Sequence, residues 1–321
     1  MPTPARRTGH ATTGHHEILE LHPGPDSLGV PLRQVVDEGR LVVVKHGLHH
    51  LDALEPLLRA TARTAADHLP ADACTTVGRA GIEALHTIAT VEQATAFRTG
   101  LEASLRPLAA DAALAFAAKA DPDGPRVYVS HHLGVRLMLP HTAVAGRTEL
   151  DPLAGFMVPH ALHVDSWFNT ALNSVNLWMA LGRVRPGNGL LIYPDLYRAP
   201  VRRTGFRLAA DQDRGIPVRV SLDPGDILVF AGDHVHGSET NTTDETRYII
   251  TKRISVGAPR FNPQGSGWIP YHDPRLLRGR LPALASLRSR ATTGYARHLL
   301  RTALRRPPAY ELPQPPASSE E

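Results

Sequence analysis

Short apolar runs separated by turn sequences fill the middle of the chain and constrain its fold more than any other feature. The runs typical of β-strands lie at 126–139, 175–181, 190–193, 218–222, 227–231 and 247–256. Pro-Gly-Asn-Gly at 186–189 and Asp-Pro-Gly-Asp at 223–226 are strong turn signals between them. Short strands at this spacing favour a sandwich or barrel over a parallel α/β sheet, with a double-sheet jelly roll preferred among all-β cores.

Helical periodicity flanks the predicted strands on both sides. Segments 51–69 and 91–120 are rich in Ala and Leu at helical spacing, and 276–306 predicts one or two helices broken near Pro282. A short β-branched run at 40–47 closes on a glycine and predicts one further strand. The overall class is therefore mainly β with flanking helices.

The two ends of the chain differ in composition from its middle. Residues 1–16 are polar without the hydrophobic region of a signal peptide, and 307–321 are rich in Pro, Ser and Glu. We predict a disordered arm at 1–16 and a frayed tail at 307–321. Between them, one domain at 17–306 holds a helical N-terminal part, a core at about 126–256 and C-terminal helices.

Composition excludes several classes of protein. Cys74 is the only cysteine, so an internal disulfide and a Cys-based zinc site are both ruled out. No stretch approaches the roughly 18–20 apolar residues of a membrane span. The net charge is +4, and nine arginines without an acid lie at 274–310, where a solvated helix face is preferred over a nucleic-acid or membrane surface. We expect a cytoplasmic protein that binds a small molecule, not nucleic acid or membrane, and leave the oligomeric state open.

A metal site is the first chemical hypothesis. His163-Val164-Asp165 would place an imidazole and a carboxylate on one face of a strand, about 6.6 Å apart along the chain. The third ligand should come from a distant strand, and the apolar run that follows the 223–226 turn delivers two competing candidates, His234 and His236. Two His and one carboxylate with open positions are the ligand set of non-haem Fe(II) oxygenases.

The second chemical hypothesis is an arginine that binds the carboxylate of a cosubstrate. Iron enzymes of this type use 2-oxoglutarate, whose distal carboxylate suits a bidentate arginine. Arg247 lies eleven residues after His236, at the start of the next predicted strand and beyond a polar turn at 241–244. We therefore expect Arg247 in the same cavity as the metal ligands.

Several motifs together resemble the phytanoyl-CoA dioxygenase family of Fe(II)/2-oxoglutarate oxygenases. They are His163-x-Asp165, Trp178-x-Ala180-Leu181, Asn188-Gly189, Pro224-Gly225-Asp226, His236-Gly237-Ser238, Asn241 and Arg247. The resemblance implies a double-stranded β-helix (jelly-roll, cupin-like) core, Fe(II) held by His163, Asp165 and His236, and O₂ as a reactant. It also implies 2-oxoglutarate held by Arg247, with Ser238 and Trp178 nearby. It selects His236 over His234, for which we predict a structural role.

Departures from the family pattern limit what the resemblance carries over. The strand after Asn188-Gly189 ends in Tyr-Pro-Asp-Leu-Tyr at 193–197, where many members have Pro-Gly-Ser-His, so the substrate of the name-giving enzyme does not transfer. A lysine that holds the cosubstrate in some members has no clear counterpart, and Arg136 is a candidate replacement. The carboxylate of Asp165 disfavours halogenation, because halogenating relatives carry a small residue there.

The expected function is that of an Fe(II)/2-oxoglutarate-dependent dioxygenase acting on a small molecule in secondary-metabolite biosynthesis. Hydroxylation is the default reaction, with desaturation, epimerisation and cyclisation open. A metal-dependent cupin-type enzyme without 2-oxoglutarate would not need Arg247, and a non-enzymatic jelly-roll binding module would not need the metal ligands.

Some residues near these motifs keep two interpretations. Arg253 would either bind substrate or pair with an acid. Trp167 and Phe168 would be core or, by slight preference, pocket wall. The asparagines at 169, 173 and 176 would face substrate or solvent.

Overall fold

The computed structural model describes residues 18–24, 26–261 and 269–273. The predicted arm at 1–16, the Arg-rich stretch at 274–310 with the predicted helices at 276–306, and the predicted tail at 307–321 lie outside the described residues.

Helices dominate the N-terminal part. The α-helices that the structure describes are Leu32–Asp37 (α1), Gly47–His50 (α2), Leu54–His68 (α3), Ala71–Ala80 (α4), Leu85–Ile88 (α5), Val91–Lys119 (α6) and His141–Val144 (α7). Short 3₁₀ helices occur at Ile82–Ala84, Thr148–Leu153, Asp165–Phe168 and Pro194–Leu196. A capping box, in which Thr90 and Gln93 each accept a hydrogen bond from the other's backbone N–H, starts α6 at the predicted position.

The strands form two main sheets. They are Leu19–Leu21 (β1), Val42–Val44 (β2), Val127–Ser130 (β3), Gly134–Met138 (β4), Ser174–Ala180 (β5), Leu190–Tyr193 (β6), Arg203–Thr204 (β7), Arg207–Leu208 (β8), Val218–Arg219 (β9), Ile227–Ala231 (β10), Val235–Ser238 (β11), Arg247–Val256 (β12) and Tyr271–His272 (β13). The large sheet has the order β1-β2-β10-β5-β12-β3-β13, with β4 also beside β12. The small sheet has the order β11-β6-β9, and β7 pairs with β8 as a separate hairpin.

The large sheet buries its two faces differently. On β5, Leu177 and Met179 belong to the apolar cluster that includes Phe97 and Leu105 of α6, while Trp178 packs in a second cluster with Ile192 of the small sheet. This alternation is the period of two expected of a strand buried on both sides. Asn176 shares the face of Trp178, so the polar side chains of β5 lie between the sheets.

The predicted fold class is confirmed: the chain is mainly β, with a jelly-roll core of two sheets and helices on the outer face. The continuous strand predicted at 126–139 is wrong, because it divides into β3 and β4. Both halves pair with β12, β4 over Arg247–Thr251 and β3 over Ile254–Val256. The strand predicted at 218–222 is likewise shortened, to Val218–Arg219. Within the described residues, no helix combines the length and apolar character needed to cross a bilayer.

Candidate metal and cosubstrate site

Three buried side chains converge between the two sheets. Nε2 of His163 and Nε2 of His236 lie 3.8 and 3.9 Å from Oδ1 of Asp165, and one ligand atom from each residue lies within 4.8 Å of the other two. The segment 163–165 is not the regular strand that we predicted: His163 forms an isolated bridge with His236, and Asp165 starts a 3₁₀ helix. Val164 between them is nevertheless extended, which keeps His163 and Asp165 on one side.

Backbone hydrogen bonds position these side chains. His163 and His236 exchange two N–H···O bonds of 2.9 Å, and the N–H of Asp165 donates to the carbonyl of Gly232 at 3.0 Å. His236 therefore lies on its own strand, β11, after the chain has turned at Gly232-Asp233 from the large sheet to the small one. The sequence pattern predicts it instead at the exit of the preceding strand, which is wrong.

Protonation in the site suits a metal. Nδ1 of His163 donates to Ala161 O at 2.8 Å and Nδ1 of His236 to His234 O at 2.9 Å, so each Nε2 is left without a proton. Burial lowers the pKa of both imidazoles and keeps them neutral. Burial alone would raise the pKa of Asp165, but neighbouring Arg253 holds that pKa well below its usual range, so the carboxylate stays ionised.

The competing histidine lies outside this cluster. Nε2 of His234 is hydrogen-bonded to Gly39 O at 3.0 Å, and its ring packs 4.5 Å from the ring of Tyr197. This placement agrees with the structural role predicted for His234.

Arg247, Ser238 and Trp178 line the same pocket as the two histidines. The other lining residues are Arg136, His160, Asn176, Leu190, Phe230, Gly237, Thr251 and Arg253. Arg247 is the first residue of β12, and its Nη1 donates to Asn188 O and Gly189 O at 2.8 Å each. Its Nε and Nη2 are buried without a hydrogen-bond partner.

An incompletely paired, buried guanidinium calls for an anion. Cζ of Arg247 lies 5.1 Å from the centre of the Trp178 ring, which covers one face of the cation. Burial lowers the pKa of Arg247 to about 9, so it remains protonated at neutral pH. Two unpaired nitrogens on a buried cation, Nε and Nη2, match the two oxygens of a carboxylate, while two neutral imidazoles and one ionised carboxylate match iron. The residues therefore fit both Fe(II) and 2-oxoglutarate.

The open question about Arg253 is answered by the structure. It pairs with an acid, and that acid is Asp165: Nη2 lies 2.7 Å from Oδ1 and Nε 3.2 Å from Oδ2. Asn176 donates to Oδ2 at 2.6 Å. Among the three asparagines considered, only Asn176 lines this pocket, whereas Asn173 bonds the backbone of Val256 and Ala258.

The pocket also contains Arg136, which donates to Gly155 O and has a buried Nε without a partner. His160 was missed by sequence reasoning: its Nδ1 lies 2.8 Å from Nδ1 of His163. Phe168 lies 5.1 Å from the His163 ring and stacks on Phe206 at 5.2 Å, so it packs beside a metal-site histidine without lining this pocket. Trp167 packs against a separate apolar cluster and lines a different cavity, together with Val164 and Asp233.

The fold and this site define a non-haem enzyme of the class that uses iron and 2-oxoglutarate. The family model of phytanoyl-CoA dioxygenase (PhyH) matches residues 69–249, more than half of the chain. The chain belongs to that family, as the sequence motifs indicated.

Solved structures with similar folds are distant. The non-heme alpha-ketoglutarate-dependent epimerase SnoN from nogalamycin biosynthesis is 19% identical, with a TM-score of 0.41, 74% of this chain covered and 88% of that one. The non-heme monooxygenase ThoJ is 16% identical, with a TM-score of 0.40 and coverages of 85% and 100%. AviO1 from Streptomyces viridochromogenes is 17% identical, with a TM-score of 0.34 and coverages of 68% and 87%. No curated protein sequence matches the chain.

Proposed function

We propose that the protein is an Fe(II)/2-oxoglutarate-dependent dioxygenase that oxidises a small molecule in secondary-metabolite biosynthesis. His163, Asp165 and His236 would bind the iron, and Arg247 the distal carboxylate of 2-oxoglutarate. One observation carries the proposal: the half-paired guanidinium of Arg247 lines the same pocket as the two histidines of the His-Asp-His cluster.

Each residue has a defined task in this mechanism. Iron, when bound, supplies the redox chemistry that couples oxidation of 2-oxoglutarate by O₂ to oxidation of the substrate. The histidines present unprotonated Nε2 atoms, and Asp165 adds a negative charge that offsets part of the metal's charge. Arg247 orients the cosubstrate, with Trp178 and Ser238 beside it. The ring of Phe168, on which Phe206 stacks, lies against His163 and would help to exclude water from it.

Hydroxylation is the reaction that we propose first, with desaturation, epimerisation and cyclisation as variants set by substrate placement. Asp165 occupies the position that a halide would need, which argues against halogenation. The divergent segment at 193–197 forms the end of β6 and a 3₁₀ helix, and Tyr197 donates a hydrogen bond to Val36 O. Because this segment departs from the family pattern, we do not carry the acyl-CoA substrate of the name-giving enzyme over to this chain.

Succinate release tests this proposal. Purified protein with Fe(II), 2-oxoglutarate and O₂ is screened against a small-molecule library that includes acyl-CoAs. Substrate-dependent succinate would support the dioxygenase. Substrate turnover that proceeds without 2-oxoglutarate would favour the cupin-type enzyme, and metal-independent ligand binding without turnover would favour the binding module.

Iron content should distinguish the two competing histidines. His236→Ala removes one of three metal ligands and should lose most of the bound Fe(II), whereas His234→Ala removes a hydrogen bond to Gly39 and a ring contact with Tyr197 but no metal ligand, and should retain it. Metal analysis after anaerobic reconstitution and desalting measures both variants beside the wild type. Equal iron in wild type and His236→Ala would contradict the ligand assignment.

A further inference from the structure

The carboxylate of Asp165 is held by more groups than a metal ligand requires. Oδ2 accepts hydrogen bonds from Asn176 at 2.6 Å and from Nε of Arg253 at 3.2 Å. Oδ1 accepts one from Nη2 of Arg253 at 2.7 Å and is also the oxygen that faces Nε2 of both histidines. The two oxygens of one carboxylate therefore have different surroundings.

The register of the large sheet produces this arrangement. Arg253 on β12 and Asn176 on β5 are direct partners in the antiparallel pair, and opposed residues project from the same face. Both side chains are buried, Arg253 at 7% and Asn176 at 3% exposure, so neither is free to leave the carboxylate for solvent.

We propose that Arg253 and Asn176 are positioning residues that hold Asp165 as a one-oxygen metal ligand. Together they give Oδ2 two hydrogen bonds and Oδ1 only one, so Oδ1, which faces the two histidines, keeps a lone pair for the metal. A carboxylate can otherwise bind a cation through both oxygens, which would fill a position that a two-point cosubstrate and O₂ need. This inference rests on the proposed function, since it concerns the same metal site.

The positive charge of Arg253 also affects the affinity of the site for a metal ion. In the metal-free protein the guanidinium already compensates Asp165, and a divalent cation must approach against that charge. Arg253 therefore lowers metal affinity while it keeps coordination positions open. Removal of a residue that merely supported the fold of the site would have the opposite effect and weaken metal binding.

Anaerobic titration with Co(II), whose visible spectrum reports the number of ligands, tests both effects. Arg253→Met should bind Co(II) about tenfold more tightly or better, with a changed spectrum and weaker binding of 2-oxoglutarate. Arg253→Lys keeps the charge and should bind Co(II) with an affinity near that of wild type. Arg136→Met is the matched control, because it removes a guanidinium from the same pocket without contacting Asp165, and its Co(II) spectrum should equal that of wild type.

Asn176→Ala provides a second test if Arg253→Met does not fold. It leaves the charge intact, so its Co(II) spectrum should change as in Arg253→Met while the affinity stays near that of wild type. Unchanged or weaker Co(II) binding by a folded Arg253→Met, or an unchanged spectrum in Asn176→Ala, would overturn the inference. If His236→Ala bound Co(II) with the affinity of the wild type, the proposed metal site itself would be overturned, and the inference with it.

Discussion

Asp165→Gly should lower the affinity for the metal by on the order of 100-fold or more, and added formate should restore part of that affinity. The substitution removes the only negatively charged ligand of the proposed metal site. It also leaves Arg253 as a buried cation without its counter-ion, a change that typically destabilises a protein by about 3–5 kcal/mol. The same cation and the amide of Asn176 would then face the vacated space, where they can bind a small carboxylate.

Co(II) titration of Asp165→Gly with and without formate measures this effect. Asp165→Gly combined with Arg253→Met should not respond to formate, since the group that would hold the anion is gone. Asp233→Asn is a suitable control: Asp233 is a nearby carboxylate 4.0 Å from Arg198, and its substitution should leave metal binding intact. Wild-type affinity in Asp165→Gly would remove Asp165 from the ligand set.

Arg247→Met should weaken binding of 2-oxoglutarate tenfold or more. Loss of a buried, charge-assisted contact to a carboxylate costs about 1.5–3 kcal/mol, and each 1.4 kcal/mol is a factor of ten. The variant should also unfold more easily, because the carbonyls of Asn188 and Gly189 lose the donor that each has at 2.8 Å. Metal affinity should change little, since Arg247 makes no contact with Asp165.

Calorimetric titration of the anaerobic, metal-loaded protein gives the dissociation constant of 2-oxoglutarate. Arg247→Lys keeps the charge but not the forked geometry and should fall between wild type and Arg247→Met. Unchanged affinity in Arg247→Met together with a loss in Arg136→Met would move the carboxylate to Arg136, the other pocket arginine with an unpartnered N–H.

Sequence reasoning worked best where turn sequences delimit the strands. The bounds of β6, β10 and β12 were all predicted, because Gly-rich or Asn-containing turns precede each of them. The same turns explain why His236 and Arg247 could be assigned to one cavity from their spacing alone.

Contacts that depend on the register between distant strands could not be predicted in this way. Arg253 reaches Asp165 because β12 pairs with β5 in one particular register, and nothing local to 253 specifies it. The break in 126–139 comes directly before Gly134, and its two halves pair with different parts of β12. The contact between His160 and His163 requires a bend in the chain that no turn sequence announces.

Strand β12 presents Arg247 to the proposed cosubstrate and Arg253 to the proposed metal ligand, both from one face. A single insertion or deletion between 247 and 253 would turn one of the two arginines towards the helical layer. Homologues in which β12 contacts both the cosubstrate and the metal-ligand carboxylate should therefore keep the spacing of six residues between these two positions, even where other side chains replace the arginines. In directed evolution, β12 should tolerate substitution far better than any change of length.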